Sequence, residues 1–222
     1  MRGRLIVIEG TDCSGKKTQT KLLIERLKNE GKKITIYAFP AYDTPTGKIV
    51  GGPYLGKKYI SEGWFSEGAP NVDPKVSSLF YAADRLYNIT KINDMLNEGY
   101  DVIVDRYVYS NMAHQGGKII NNTDRFALYQ WLDDLEFKLL KLPRPDITVL
   151  LYMPYDYSLQ LRQNRGDNID QHEISEEHLK NAERAYLELA KSYQWKIINC
   201  IENNQIRSIN DINEDVYNIV KL

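Results

Sequence analysis

The chain has 222 residues, of which 42% are hydrophobic and 27% charged, and its 29 basic and 30 acidic side chains leave a formal net charge of −1. This size suits one α/β domain over residues 1–222, with a core large enough to fold alone. The balanced charge excludes a whole-surface attraction to nucleic acid or to an anionic membrane, so we expect neither as a partner.

The first four residues lead directly into an apolar run over 5–8, which is too short for a signal peptide or a membrane span. We therefore expect a cytoplasmic protein. A chain that buries its own core has little need of a disulfide, so Cys13 and Cys200 are expected to be free thiols.

Apolar runs that indicate buried strands alternate along the chain with segments of helical periodicity. The strands are predicted over 5–8, 34–39, 102–104, 147–152 and 196–199. The helices are predicted over 18–30, 73–96, 124–140, 158–165, 175–193 and 209–220. This alternation predicts a parallel five-stranded sheet with helices on both faces and ligands at the carboxyl ends of the strands. The segment 40–72 has little periodicity beyond a short helical stretch near 47–50, and a loop this long usually carries function.

A phosphate-binding loop follows the first strand and precedes the first helix, and it fits the spacing G-x-x-x-x-G-K. Glycines let successive backbone N–H groups face a phosphate, the helix dipole favours the anion, and Lys16 bridges the transferred phosphoryl group. The spacing therefore predicts a site for a nucleoside triphosphate. Its residues are Gly10, Thr11, Asp12, Cys13, Ser14, Gly15, Lys16, Lys17 and Thr18.

Lys17 departs from this motif, because the position usually holds a Ser or Thr whose hydroxyl contacts magnesium. Thr18 comes one residue late. Adenylate kinases as a family carry Gly at this position followed by Thr, so we expect magnesium to be held through phosphates and water.

Further along, residues 105–116 read DRYVYSNMAHQG, which closely resembles the D-R-Y-x-x-S-x-x-A-Y-Q-G signature of thymidylate kinases. Residues 81–85, YAADR, resemble the F-A-A-D-R helix segment of that family. Phe39-Pro40, the T-P-x-G of 44–47 and the LPRPD of 142–146 also match in order. On these residues the chain is identified as a member of the thymidylate kinase family.

The resemblance implies a P-loop NTPase-type three-layer α/β/α fold and a homodimer that transfers the γ-phosphoryl group of ATP to dTMP with Mg²⁺. It divides the chain into a phosphate loop over 10–18, an acceptor-side loop and insert over 39–72, and a helical lid of the bacterial type over 158–173. Members without an arginine in the phosphate loop place it in the lid, and Cys13 stands at that loop position. The predicted catalytic residues are Lys16, Arg106, Asp12, Arg162 and Arg165.

The residues themselves give reasons for several acceptor contacts. Arg106 stands at the end of an apolar strand, and its guanidinium can clamp a phosphate with two parallel hydrogen bonds. Tyr81 and Arg85 share a helix face and can approach a base together. Asp105 is placed near the metal, directly or through water, or else caps the following helix.

The resemblance adds Asp12 near the acceptor's sugar hydroxyl and phosphate, and Asn111 with His114 near the sugar. The whole acceptor set is Asp12, Phe39, Pro40, Tyr81, Arg85, Arg106, Ser110, Asn111, His114 and Gln115.

Two departures from the family keep other acceptors open. His114 replaces a Tyr, and Ala41-Tyr42 stands where relatives carry an Arg or the run E-P-G-G-T. One alternative is a kinase for another nucleotide or deoxynucleoside. Another is a homologue that binds nucleotides without catalysis. A GTP-binding switch is disfavoured because the chain has no N-K-x-D segment.

Overall fold

A computed structural model of the chain describes residues 1–163 and 175–221. Its centre is a sheet of five parallel strands, as the sequence predicts. The order of the strands in the sheet is β2-β3-β1-β4-β5. The strands are β1 (Leu5–Gly10), β2 (Ile34–Ala38), β3 (Asp101–Asp105), β4 (Ile147–Tyr152) and β5 (Lys196–Asn199). Because all five run the same way, their carboxyl ends meet at one edge.

Eight α-helices connect these strands within the described part of the chain. They are α1 (Lys16–Asn29), α2 (Pro45–Ile49), α3 (Pro74–Asn97), α4 (Val108–Gly116), α5 (Asn122–Asp133), α6 (Tyr155–Gln163), α7 (Glu176–Ser192) and α8 (Ile209–Val220). The chain also forms π-helical turns over Val50–Tyr54 and Asp134–Leu139, and a 3₁₀ turn over Ala69–Asn71.

Most predicted helix boundaries agree with the structure, and the differences have local causes. α1 begins at Lys16, two residues before the predicted start, because Gly15 has a left-handed φ of 78° that turns the chain straight into the helix. The segment predicted as one helix over 124–140 is α5 followed by the π-helical turns. The α3 start is as predicted, since the Asp73 side chain accepts from the N–H groups of Lys75 and Val76.

A two-stranded antiparallel hairpin, β6 (Ile201–Glu202) and β7 (Gln205–Ile206), was not predicted. Its two turn residues, Asn203 and Asn204, both have positive φ, which is the geometry of a type I′ turn. Asparagine tolerates this conformation, but Asn-Asn lacks the glycine that makes such turns easy to recognise in a sequence.

Strand β1 is buried on both faces because the helices cover both sides of the sheet. Leu5 and Val7 pack into one hydrophobic cluster, and Ile6 and Ile8 pack into the other. Cys13 and Cys200 are both buried, and no disulfide joins them, as the sequence predicts. In the described part of the chain no helix combines the length and apolar character needed to cross a membrane.

The acceptor-side insert has a small core of its own, beside the carboxyl edge of the sheet. Val50, Tyr54, Leu55, Ala69 and Val72 are buried together, and aromatic rings from the insert and α3 pack around them. The ammonium of Lys118 donates to the carbonyls of Ala69 (2.9 Å) and Val72 (2.8 Å), and so ties the insert to the end of α4.

The buried carboxylate of Asp84 on α3 holds the segment after β2. It accepts from the N–H of Ala41 (2.9 Å), the hydroxyl of Thr46 (2.9 Å) and the amide of Asn88 (3.0 Å). Asp84 is 1% exposed, so removing it leaves these donors in a site that water does not reach. Asp84 therefore fixes the path of residues 39–46.

We expect Asp84→Ala to lower the free energy of unfolding by about 2–3 kcal/mol, because the Ala41 N–H loses its hydrogen-bond acceptor in a dry site. Asp94→Ala, an exposed carboxylate on the same helix, is the control and should change stability by less than about 0.5 kcal/mol. Urea unfolding of both variants measures the difference. Equal stabilities would show that the network is dispensable.

Candidate functional site

The phosphate loop lies at the end of the central strand, where β1 passes into α1. Cys13 and Gly15 have left-handed φ angles of 53° and 78°, which curl the loop. Thr11 anchors it, because its hydroxyl donates to the carbonyl of Met153 (2.7 Å) and accepts from the Met153 N–H (2.8 Å). α1 has neither a side-chain cap nor an acidic residue in its first turn, so its N-terminal N–H groups suit a phosphate.

Glycine is required at the start of this loop. A Cβ on Gly10 would clash with the hydroxyl of Ser14 and lie 3.0 Å from the carbonyl oxygen of Leu151. The backbone therefore approaches the neighbouring strand more closely than a side chain allows, as the motif predicts.

Lys16 points back into the loop from the first turn of α1. Its ammonium donates to the carbonyls of Gly10 and Thr11, both at 3.0 Å. Burial, together with the charge of Arg106, lowers the pKa of Lys16 to about 8, although Asp105, Asp12 and Glu9 oppose this shift. The lysine is thus a buried cation that an anion in the loop would stabilise.

Lys17 and Thr18 follow it in the first turn of α1, and both are exposed. The position that normally supplies a metal-binding hydroxyl therefore adds a solvent-exposed cation instead. Nothing in the structure explains this substitution.

Next to the loop is a cleft that gathers the predicted acceptor residues from four separate segments. Nine of the ten line it, namely Asp12, Phe39, Pro40, Tyr81, Arg85, Arg106, Ser110, Asn111 and His114. The same cleft is lined by Tyr42, which the sequence marks only as a departure from the family, and by Leu55, Tyr107 and Leu179, which were not predicted as acceptor residues. Asp12 belongs to both the phosphate loop and the cleft, so the two sites are continuous.

Gln115 is the exception, because it does not line this cleft. Its side chain is fully buried, and neither amide atom has a hydrogen-bond partner among the described residues. Its contact with the acceptor stays a prediction.

Arg85 lines the cleft but is already engaged in a buried ion pair. Its Nε and Nη2 donate to the two carboxylate oxygens of Glu136, with Nη2 at 2.6 Å, and both side chains are at most 2% exposed. Asn111 donates to the same carboxylate at 3.3 Å. Glu136 was not predicted as part of the site. The one feature of the sequence that could indicate its buried role is that this carboxylate lies between the apolar residues Leu135 and Phe137 in a helical segment.

Arg106 has a left-handed φ of 64°, and its guanidinium projects into the cleft. Nη1 lies 3.2 Å from the Tyr186 hydroxyl, 3.3 Å from His114 Nε2 and 3.4 Å from the Ser110 hydroxyl. Burial disfavours the charge, but Tyr186, Asp105 and other acidic neighbours raise the pKa of Arg106 above its usual value. The cleft therefore contains a permanently charged cation.

Glu9, the last side chain of β1, was also missed. It is fully buried, and its Oε1 accepts from the N–H groups of Tyr107 (2.9 Å) and Ser110 (3.1 Å), while Oε2 accepts from the Ser110 hydroxyl (2.5 Å). Burial raises the pKa of Glu9, and these hydrogen bonds oppose the shift. Glu9 thus caps α4, which has no side-chain cap of its own. The signal in the sequence was a carboxylate within an otherwise apolar strand.

Asp105 does not cap α4, because Glu9 fills that role. Its Oδ1 is buried and has no hydrogen-bond partner among the described residues, and its charge raises the pKa of the nearby Lys16. A carboxylate oxygen in this state fits a cation or an ordered water. No cluster of three or more His, Cys, Asp or Glu side chains that could hold a metal exists in the described ranges, so an ion would need ligands from phosphate and water.

The predicted lid falls largely outside the described residues. Arg162 lies within α6, as predicted, but its side chain is among those not described, and Arg165 lies in the undescribed segment 164–174. Their roles as cations for the migrating group stay predictions.

Comparison with known proteins gives a consistent result along nearly the whole chain. A family model described as thymidylate kinase matches residues 8–212. A probable thymidylate kinase of Pyrococcus horikoshii is 33% identical over 223 residues, covering 100% of this chain and 97% of the relative. The thymidylate kinase of Schizosaccharomyces pombe is 28% identical over 219 residues, covering 99% and 92%.

A solved structure of a thymidylate kinase from Candida albicans also matches. The TM-score is 0.75 at 26% sequence identity, and the match covers 99% of this chain and 92% of that one. That structure is reported to reveal the origin of broad substrate specificity and a novel structural element.

The lowered pKa of Lys16 predicts that triphosphate binding is linked to proton uptake. In the free protein Lys16 is partly neutral above its pKa of about 8, and bound phosphates raise that pKa, so binding near pH 8.5 should take up protons. Below roughly pH 6.5 the lysine is already charged, and its contribution should vanish.

Calorimetric titration with a non-hydrolysable triphosphate, in buffers of different ionisation enthalpy, measures this uptake. Lys16→Met is the matched control and should abolish it. Uptake that is the same in the variant would assign the proton to another group.

Proposed function

The chain belongs to the thymidylate kinase family, and from this premise we propose how its site carries out the family's reaction. The protein is an enzyme that transfers the γ-phosphoryl group of ATP to dTMP, giving dTDP and ADP. One observation carries the assignment of the site: Asp12 lies in the phosphate loop and also lines the acceptor cleft. Donor and acceptor phosphates can therefore meet without a covalent intermediate.

Two buried cations divide the work of phosphate binding. Lys16 leaves the loop carbonyls and binds the migrating phosphoryl group, and Arg106 clamps the acceptor phosphate. Apart from this exchange by Lys16, both cations already lie at the site before the substrates arrive, so little further reorganisation is needed in the transition state. The charge of Asp12 acts on both cations, and Asp12 is proposed to orient the acceptor. Arg162 and Arg165 are proposed to add positive charge to the migrating group from the lid.

The far end of the cleft is proposed to bind the base. Tyr81 presents its ring there and is braced edge-on by Tyr54, with centroids 5.7 Å apart and planes at 87°. Arg85 is held by Glu136, so its position toward a base oxygen is set before binding. Phe39 and Leu55 provide apolar walls.

The orphaned Oδ1 of Asp105 supports a magnesium site beside Lys16. We propose that Asp105 holds Mg²⁺, directly or through water, together with the nucleotide phosphates. A magnesium ion held there would neutralise negative charge on the phosphates. The cytoplasmic location predicted from the sequence stays a prediction.

Steady-state turnover with ATP across a panel of nucleoside monophosphates tests this function. We expect the highest kcat/KM with dTMP, and Lys16→Ala should remove essentially all turnover, because the migrating phosphoryl group loses its cation. A higher kcat/KM for another acceptor would overturn the assignment of the substrate. Nucleotide binding without ADP formation would point to a non-catalytic homologue.

The exposed face of α3 supports the proposed homodimer. Val76, Leu79, Leu86 and Tyr87 lie on one side of this helix and are 43–59% exposed, while its other side is buried. A helix that is apolar on its solvent side as well as its core side usually packs against a further partner. A second copy of the chain fits this surface, because a two-fold axis can bring the same apolar face of each α3 together.

We expect Leu79→Glu with Leu86→Glu to convert a dimer into a monomer, because the face would bury two carboxylates. Light scattering coupled to gel filtration measures the mass. Ile120→Glu, which changes an exposed apolar residue outside α3, should leave the dimer intact. A monomeric wild-type protein at micromolar concentration, or a dimeric double variant, would overturn the proposal.

A further inference from the structure

A second histidine stands behind the one that replaces the family's tyrosine. His114 Nδ1 lies 3.2 Å from His178 Nε2, and His114 Nε2 lies 3.3 Å from Arg106 Nη1. The His178 side chain is 5% exposed and comes from the first turn of α7. The two imidazoles thus form a chain that ends on the guanidinium in the cleft.

The geometry of the pair is that of an in-plane hydrogen bond. The two rings are inclined by only 17°, and their centroids are 5.4 Å apart. When the nearest nitrogens of two imidazoles are 3.2 Å apart, the ring centroids are farthest from each other if both lie on the line through those nitrogens. The observed centroid separation is close to that limit. The rings therefore meet edge to edge rather than face to face.

The direction of each hydrogen bond follows from Arg106, which can only donate. His114 Nε2 must accept, so the proton of the neutral ring is on Nδ1 and is donated to His178 Nε2. His178 in turn carries its own proton on Nδ1. One tautomer of each ring therefore gives both hydrogen bonds, Arg106 to His114 and His114 to His178, a donor and an acceptor.

Helix α7 supports Arg106 at two points. Tyr186 reaches Arg106 directly, with its hydroxyl 3.2 Å from Nη1, and His178 reaches it through His114. These two residues are eight apart, about two helical turns, so they lie on the same buried face of α7. The edge of the Tyr186 ring also packs against His114, with centroids 5.9 Å apart.

We infer that His178 is a positioning residue for the acceptor phosphate, acting by fixing the tautomer and orientation of His114 and thereby the direction of the Arg106 guanidinium. The inference rests on the proposed role of Arg106. A guanidinium must be aligned to form two parallel bonds to a phosphate, so a loosened His114 weakens acceptor binding more than donor binding.

Two substitutions at one position provide the test. In His178→Gln the side-chain amide oxygen can accept from His114 Nδ1, whereas His178→Leu keeps an apolar volume but accepts nothing. We expect His178→Leu to raise the KM for dTMP roughly five- to tenfold, the loss of about one hydrogen bond, with the KM for ATP within about twofold of wild type. His178→Gln should restore most of the dTMP KM.

Ser175→Ala is the matched control for the start of α7, because the Ser175 hydroxyl accepts from the His178 N–H at 3.2 Å and Ser175 does not line the cleft. It should leave both KM values near those of wild type. If Ser175→Ala raises the dTMP KM as much as His178→Leu does, a loosened helix explains the effect and the inference is overturned.

Long-range ¹⁵N–¹H correlation spectra of the histidines give a readout that is independent of turnover. At about pH 8, where imidazoles are neutral, we expect Nδ1–H on both rings, assigned with His114→Phe and His178→Gln. An Nε2–H on His114 would overturn the inference.

Arg106→Lys separates this inference from the proposed function. If that variant leaves the dTMP KM unchanged, the clamp itself is wrong. If Arg106→Lys raises it while His178→Leu does not, the clamp stands and only the role of His178 is overturned.

Discussion

The buried carboxylate of Glu9 is the interaction on which the site depends. It ends β1 immediately before the phosphate loop, and it accepts the hydrogen bonds that start α4 immediately after Arg106. One side chain therefore fixes the loop that carries Lys16 relative to the segment that carries Arg106. Parallel pairing of β1 with β3 sets the coarse distance between them, and Glu9 sets the local geometry. Without this carboxylate, the N-terminal N–H groups of α4 would be buried and unpaired.

The charges around Glu9 explain why the site suits two phosphates. Burial and repulsion from Arg106 lower the pKa of Lys16, and Asp105, Asp12 and Glu9 offset only part of this shift. At Arg106, Tyr186 and the same carboxylates more than offset burial and raise the pKa. Phosphate oxygens bound between the cations would supply the missing negative charge. The free protein thus holds its cations in an arrangement whose electrostatic cost falls when substrates bind, which is the preorganisation that phosphoryl transfer requires.

The sequence predicted what depends on local pattern. The strands over 147–152 and 196–199 and the helix over 209–220 agree residue for residue with the structure, because apolar periodicity and caps are local. The cleft residues were predicted from motifs. Glu9, Glu136 and His178 were missed because each acts through a partner between 51 and 101 residues away, and no local pattern encodes such a pairing. Gln115 does not line the cleft, because a motif does not specify how deeply each side chain is buried, and its contact with the acceptor stays a prediction.

Cys13 and His114 both make the site depend on residues from other parts of the chain. Cys13 is 8% exposed in a left-handed turn of the phosphate loop and brings no cation to it, so the added charge for the migrating phosphoryl group is proposed to come from the lid. His114 is smaller than tyrosine, yet its two ring nitrogens bridge Arg106 and His178, so the imidazole is held where a ring with one polar atom could bond only one of them. Compared with tyrosine, the histidine has less ring area for contact with the sugar, but it makes two directed hydrogen bonds. If His178 positions His114 as inferred, the hydrogen bonds of His114 act on the acceptor phosphate through Arg106, and its ring is left for contact with the sugar.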